Sequence, residues 1–411
     1  MSVSNSTPSD QPKLKRSLGL GLLILYGLGV TIGAGIYVLI GVTAARAGIY
    51  APVSFSVAAL VMVFSAASFA EFSGRFPVSA GEAAYVREGF RSETLALIVG
   101  LVVIVEATIA GATISLGSIG YLRSFVDIPP TFLVIGVLIL MGLIAAIGTL
   151  QSVAFAGILT LIEIGGLLAI IAGGFFGADD IFSKLPLVIP SSFDWSIWSG
   201  VFGGAILAFF AFIGFEDMVN VAEETKRPRR TMPIAIFITL GIVTLLYFLI
   251  SAIAVLSVPV DELAKSEAPL GLVFDAVTPL PAGAINLIAI VATLNGVIIQ
   301  IIMAARVIYG LANKGNLPKI LGRVHKRTRT PIIATVLVTA IMMIFAIGFN
   351  LESLAEFTSR MTLTVFVLVN LALVWLKMSR RAPTSGHFSV PIWVPIIGFL
   401  LSAIAMLPAP S

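Results

Sequence analysis

GLGVTIGAGIYVLIGV (residues 27–42) and GGAILAFFAFIGFEDMVNVAEET (residues 203–225) decide how the chain is read. Each lies in a run apolar enough for a membrane helix, yet each carries glycine where a helix tolerates it poorly. One glycine in a helix interior costs about 1 kcal/mol relative to alanine. The first stretch has Gly27, Gly29, Gly33, Gly35 and Gly41, with Thr31 just ahead of the close pair Gly33 and Gly35. In the second, Gly214 is followed, after Phe215, by Glu216 and Asp217. Backbone that unwinds at membrane depth is tolerated only where it lines a cavity or is buried in protein. Two interruptions in corresponding positions, five apolar segments apart and hence of opposite topology, point to an inverted-repeat transporter with a site near mid-membrane. Glycines serving only close helix packing are the alternative; the carboxylates beside the second cluster weigh against it.

Composition agrees. The 411 residues are 58% hydrophobic and 11% charged, with a mean hydropathy of +1.07, whereas a soluble domain carries roughly 25% charged residues. This excludes an ordinary soluble enzyme, a disordered chain and a nucleic-acid-binding protein. The absence of cysteine removes disulfides and thiolate metal sites. With only His325 and His387, both in basic loops, no metal centre and no cofactor are expected. Nor is there a phosphate-binding loop, so neither an enzyme nor direct ATP-driven transport is indicated.

Eleven segments reach the roughly 20 apolar residues that a spanning helix needs: about 18–43, 50–74, 94–122, 131–149, 152–176, 195–222, 232–256, 280–312, 331–349, 352–377 and 392–410. Alternating ten-residue strands, the mark of a membrane barrel, are absent. Residues 1–17 are polar, lack a signal-peptide core, and read as an uncleaved cytosolic tail. Nineteen of the 25 Lys and Arg fall in alternate loops, with Lys226, Arg227, Arg229 and Arg230 in one and Lys314 to Arg329 in another. The positive-inside rule makes those loops cytosolic. The amino end is then inside, the carboxyl end outside, and the acids Asp179, Asp180, Asp261, Glu262, Glu352 and Glu356 lie outside. Residues 76–93 read as a short amphipathic segment on the inner face.

At the two interrupted segments and around them the chain resembles the amino acid–polyamine–organocation transporters, in their bacterial amino acid permease branch. The resemblance rests on GAGIYVLIG (33–41), AEFSGRFPVSAGEAAYVREGF (70–90), FFAFIGFEDMVNVAEETKRPRRTMPIAI (209–236) and ARVIYGLANKGNLPKILGRVHKRTRTP (305–331), and covers nearly everything from 18 to 377. It implies an all-α membrane fold of five plus five inverted helices with segments 1 and 6 discontinuous. Residues 1–17 are then the tail, 18–176 the first repeat, 195–377 the second, and 378–411 a cytosolic linker with an extra eleventh helix. Substrate would lie between segments 1, 3, 6 and 8. Its carboxylate would meet the amides of Gly33, Ala34, Gly35 and Ile36, an exposed helix N-terminus being a ready anion site. Its ammonium would meet carbonyls around Phe210, Ala211 and Ile213, with the Phe210 ring closing over it. The sequence departs from the family by stopping after eleven segments rather than twelve. It also carries Ser359-Arg360-Met361-Thr362-Leu363 where many relatives have Gly before Thr-Leu.

Ionisable residues at membrane depth are functional candidates by default. Glu106 begins a small-residue stripe at helical spacing with Ala110, Thr113, Gly117 and Gly120, which turns it toward the bundle. Alignment with the family places Glu106 at a position that contributes to the substrate site, with Thr31 and Ala110 as further candidates for substrate contact; the alternative for Glu106 is a structural carboxylate satisfied by neighbouring hydroxyls. Glu163 shares a face with Gly157, Thr160, Gly166 and Gly173. Several proton-coupled relatives have Lys there; a Glu can hold a cation or load and release a proton, or serve as a structural hydrogen-bond partner. Of the adjacent pair Glu216 and Asp217, at most one is expected to face the pathway. The family match favours Glu216 as a gating acid and leaves Asp217 to tie down the break. Arg360 is expected to meet one of the buried acids or the substrate carboxylate. Asn295 and Gln300 are polar at mid-membrane depth, Gln300 on a face with Gly296 and Ala304; Gln300 is a candidate for substrate contact and Asn295 for gating. Glu71 and Arg75 are spaced for an i,i+4 pair, and Pro233 suits the first turn of segment 7.

These residues imply secondary active uptake of an L-amino acid across the cytoplasmic membrane, coupled to protons, by alternating access. An antiporter, a polyamine carrier, and a receptor that senses amino acids without moving them remain as alternatives. The partners expected are the amino acid, protons and the lipid bilayer, with no nucleic acid.

Overall fold

The computed structural model describes residues 16–77, 81–147, 153–177, 181–379 and 388–407. The expected tail up to residue 15, Asp179, Asp180, Arg380, Arg381, His387 and the last four residues lie outside them. The helices are α1 (Leu20–Ala47), α2 (Ala51–Arg75), α3 (Gly81–Phe90), α4 (Glu93–Leu122), α5 (Pro130–Ile147), α6 (Val153–Phe176), α7 (Ile181–Lys184), α8 (Trp195–Phe212), α9 (Pro228–Ser257), α10 (Val260–Lys265), α11 (Pro269–Val277), α12 (Gly283–Asn313), α13 (Ile332–Gly348), α14 (Leu351–Met378) and α15 (Trp393–Ala405). Eight helical stretches among the described residues are long and apolar enough to cross a bilayer. Leu20–Gly33, Ile332–Gly348 and Trp393–Ala405 are shorter apolar helices. The chain is an all-helical integral membrane protein.

Local chemistry sets the ends. Ser92, Asp194 and Asn350 each accept a hydrogen bond from a first-turn amide, at 3.2, 2.9 and 2.8 Å, the usual N-cap arrangement. Pro52, Pro228 and Pro269 occupy first turns, where no intrahelical N–H is needed. Helix α9 therefore begins at Pro228, earlier than expected, and Pro233 lies inside it rather than in its opening turn. Leu18 forms a backbone bridge with Thr225, which fixes the entry to α1 beside the segment that leads into α9.

Both expected interruptions are present. Gly33 leaves helical geometry at φ −31°, ψ −132° within α1. Helix α8 stops at Phe212, Ile213 turns outward with ψ 135°, and Gly214 takes φ +121°, a region that disfavours any Cβ. The chain continues as a 3-10 helix over Glu216–Glu224. The two interruptions touch: a Cβ on Gly35 would overlap Ala211 Cα, and one on Gly214 would lie 2.6 Å from the Val30 carbonyl oxygen.

Two apolar cores meet at this junction. One runs through α1, α2, α8, α9 and one side of α14; the other joins α4, α5, α12 and α13. The far faces of α5, α6 and α13 expose Leu140, Leu143, Leu161 and Ile344, as lipid-facing helices do. Helix α3 departs from the surface amphipath expected for residues 76–93: Glu82, Ala84, Tyr85 and Val86 are buried, and the helix packs against α14 and α4.

Helix α15 is tied in by polar contacts. Asn370 of α14 donates to Ser65 of α2 at 2.9 Å and accepts from Ser68 at 2.6 Å, while Ser65 pairs with Ser402 of α15 at 3.4 Å. At the end of α2, the expected Glu71–Arg75 pair forms, joined by Lys377 of α14 at 2.7 Å and the Val390 amide at 2.8 Å. The Glu71 side chain is fully buried, so its removal strands two cations in a protein interior. Loss of one partner from a buried pair costs about 3–5 kcal/mol. Glu71→Ala is therefore expected to lower the melting temperature in detergent by many degrees, read by intrinsic fluorescence. An unchanged melting temperature would show that the cluster is not structural.

Candidate functional site

A small cavity lies where the cores meet, lined by Gly29, Val30, Thr31, Gly33 and Gly35 of α1, Ala110 and Ile114 of α4, Phe210 and Ala211 of α8 with Ile213, and Ala292, Asn295, Gly296, Ile299 and Gln300 of α12. Both interruptions open into it. The half-helix before Gly33 and α8 each end in a last turn of carbonyls without intrahelical donors, and the stretches that follow begin with amides without acceptors. The cavity thus has bare peptide dipoles of both signs on a wall of small side chains. Three polar atoms, Thr31 Oγ1, Asn295 Oδ1 and Gln300 Oε1, are buried without a hydrogen-bond partner. Buried polar atoms of this kind call for a partner, which water or a ligand in the cavity can supply.

Tyr247, mid-way along α9, crosses between the interruptions. Its hydroxyl lies 2.9 Å from both the Thr31 and the Ala211 carbonyl oxygens. Two further tyrosines brace the second half of α1: Tyr37 donates to the Glu163 carbonyl at 3.0 Å, and Tyr121 donates to the Tyr37 carbonyl.

A second, smaller cavity adjoins the first through Ile213 and Gln300, which line both. Four acids face it, Glu82, Glu106, Glu216 and Asp217, among Val103, Met303, Thr362, Val365 and Phe366. No ion pair among the described residues involves any of the four.

Of the residues expected at a substrate site, Thr31, Gly33, Gly35, Ala110, Phe210, Ala211, Ile213 and Gln300 line the first cavity together. Asn295, expected to gate, lines it as well. Ile36, expected to contribute through its amide, has its side chain fully buried in the core. Ala34 lies on the helix between Gly33 and Gly35, and its side chain is outside the described set. Glu106 sits one turn before Ala110 and so faces the second cavity, where it accepts from Thr362 at 2.8 Å.

Glu216 accepts from the Gly214 amide at 3.0 Å and so caps the break, while Asp217 meets only Asn220, at 3.5 Å. Both line the second cavity, although at most one was expected to face the pathway. Arg360 pairs not with a buried acid but with Glu356, one turn earlier, at 2.5 Å. Glu163 is 2% exposed, and its Oε2 makes no hydrogen bond. The glycine face around it packs on neighbours as expected for structure, with Gly157 against Leu25 and Gly166 against Ile285 and Ile288.

Sequence reasoning missed Tyr247, Glu82, Ala292 and Ile299. Tyr247 carried a usable signal, since a tyrosine inside an apolar span must find a partner for its hydroxyl. Glu82 did not, because the periodicity of a ten-residue helix does not reveal what packs over it.

Comparisons with known proteins agree with the geometry. The sequence profile described as "Amino acid permease" matches residues 19–410. The branched-chain amino acid permease BcaP of Bacillus subtilis (strain 168) is 30% identical over 95% of this chain and 86% of its own length. A methylthioribose transporter of the same organism is 30% identical over 98% of this chain and 89% of its own. The cationic amino acid transporter 3, mitochondrial, of Arabidopsis thaliana is also 30% identical, over 90% of this chain, which spans only 63% of that protein. Among solved structures, a Na+-coupled sialic acid symporter in a substrate-bound outward-open state superposes with a TM-score of 0.61 at 14% identity, over 95% of this chain and 89% of that one. At that identity the likeness speaks for the fold alone.

Glu82, outside the apolar spans, gives this region a measurable signature. Burial pushes its carboxyl up to about 7 from 4.5. Between those values the folded chain holds a proton that the unfolded chain has released, so stability falls as pH rises through that window. The penalty is absent below it and complete above it, about 3 kcal/mol at most. Glu82→Gln is expected to gain stability over the wild type progressively from pH 4.5 to 7, read as the difference in melting temperature. Parallel pH profiles would contradict this.

Proposed function

The chain belongs to the amino acid permease family, and we propose that it carries an L-amino acid across the cytoplasmic membrane by alternating access, coupled to protons. The observation that carries this reading is the contact of two opposed helix interruptions across one cavity. A zwitterion has charges of both signs a few ångströms apart, and so does this wall. The amides that open the stretch after Gly33 suit the carboxylate. The carbonyls that close α8 around Phe210, Ala211 and Ile213 suit the ammonium. A carbonyl has two lone pairs, so Ala211 can accept from Tyr247 and from substrate together. The Phe210 ring, 5% exposed on the cavity wall, covers the ammonium and adds a cation–π attraction.

In this reading residues 18–176 and 195–377 are inverted repeats, so that a rocking movement of one against the other exposes the cavity to each side in turn. The amino end and the Lys- and Arg-rich loops face the cytosol of a cell bounded by its inner membrane. Glu163 takes and releases the proton: it is buried, lacks a partner on Oε2, and sits on α6, which packs along α1 and α12. Glu106, Glu216 and Asp217 form the acidic passage on the side of α3. The same acids favour a second reading of specificity, in which the amino acid is cationic; a small apolar side chain instead fits Ala110, Ala292 and Gly296.

Reconstitution into liposomes tests both points. With a proton gradient directed inward, at least one labelled amino acid from a set including leucine and arginine is expected to accumulate, and a protonophore to abolish the accumulation. No accumulation of any amino acid would refute proton symport. Glu163→Gln is expected to remove the pH dependence of uptake while counterflow exchange continues; an unaltered pH dependence excludes Glu163 as the coupling group.

A further inference from the structure

Tyr247 belongs to neither repeat's interruption, yet its hydroxyl reaches both. Thr31 lies in the last turn of the half-helix Leu20–Gly33, and Ala211 in the last turn of α8, so their carbonyls lack regular helical donors. The Tyr247 oxygen stands 2.9 Å from each. A phenol has one proton, so the bond is shared between the two carbonyls, and moving either interruption away weakens it. The side chain is fully buried. Its ring is held edge-on by Phe55 of α2 at 5.8 Å and Phe212 of α8 at 5.1 Å, which leaves the hydroxyl little freedom to turn elsewhere. Water cannot replace such a bond cheaply in a site without solvent access.

We propose that Tyr247 is a positioning residue, whose single hydroxyl holds the two helix interruptions in register. The walls of the cavity come from separate segments, and the Tyr247 hydroxyl bonds to both. Without the hydroxyl, each last-turn carbonyl is left to find its own partner, and the two interruptions open independently. The inference goes beyond the transport reading and does not need it, since it can be tested without any ligand.

Tyr247→Phe keeps the ring and its two edge contacts and deletes only the hydroxyl. Hydrogen exchange on the purified full chain is expected to quicken about tenfold in residues 30–36 and in residues 210–217 together, from the loss of one buried bond, while α5 exchanges as in the wild type. Ser251→Ala, which deletes a buried hydroxyl on the same helix that bonds to the Tyr247 and Phe248 carbonyls, serves as the control and should leave both stretches near wild type. Three results overturn the proposal: no change in either stretch, a change in only one, or the same change from Ser251→Ala. If exchange behaves as expected and uptake is nonetheless absent, the positioning role stands and the transport reading falls.

Discussion

A helix in a bilayer must satisfy its own peptide groups, because hydrocarbon offers them nothing. The structure depends on the two places where this chain suspends that rule. At Gly33 and again at Gly214 the ladder stops, and the cost is tolerable only because the interruptions face each other inside protein. Close approach of Gly35 to Ala211 and of Gly214 to Val30 forms a dry junction, which Tyr247 and the Glu216 cap partly satisfy. What stays unsatisfied lines the cavity. The site is thus a consequence of the backbone first and of side chains second, which explains why its walls can be so small and apolar.

The acids form a second tier around this junction. Glu82, Glu106, Glu216 and Asp217 come from α3, α4 and the stretch after α8 and share one cavity without a cation among them. Like charges gathered in a low dielectric repel strongly, and no ion pair among the described residues offsets them. At the two ends of the bundle, charges are paired instead: Arg46 with Glu352 at 2.7 Å and Arg123 with Glu267 at 2.6 Å at one end, Glu71 with Lys377 at the other. The contrast between paired ends and an unpaired middle is the electrostatic pattern of this molecule.

Much of this was legible in the sequence because membrane helices are written in long apolar runs and their interruptions in glycine. Gly33, Gly214 and most of the cavity lining follow from those two signals and from the family resemblance. What the sequence left open has a common source. The partner of Arg360 is not readable from its neighbourhood in the chain, and the ion pair it forms is with Glu356, one turn earlier. Glu216 accepts from the Gly214 amide and lines the second cavity beside Asp217 and Glu106, an arrangement that local periodicity does not announce. Glu82 and Tyr247 act through partners on other helices, and such partnerships leave no mark on local periodicity.

The central claim is that opposed interruptions create the binding site. A cryo-electron microscopy map of the protein, prepared with the amino acid it accumulates most strongly, tests it most directly. The account predicts ligand density between Gly33–Gly35 and Phe210–Ile213, with both helices broken there. Two continuous helices through these residues, or ligand density elsewhere, would contradict it.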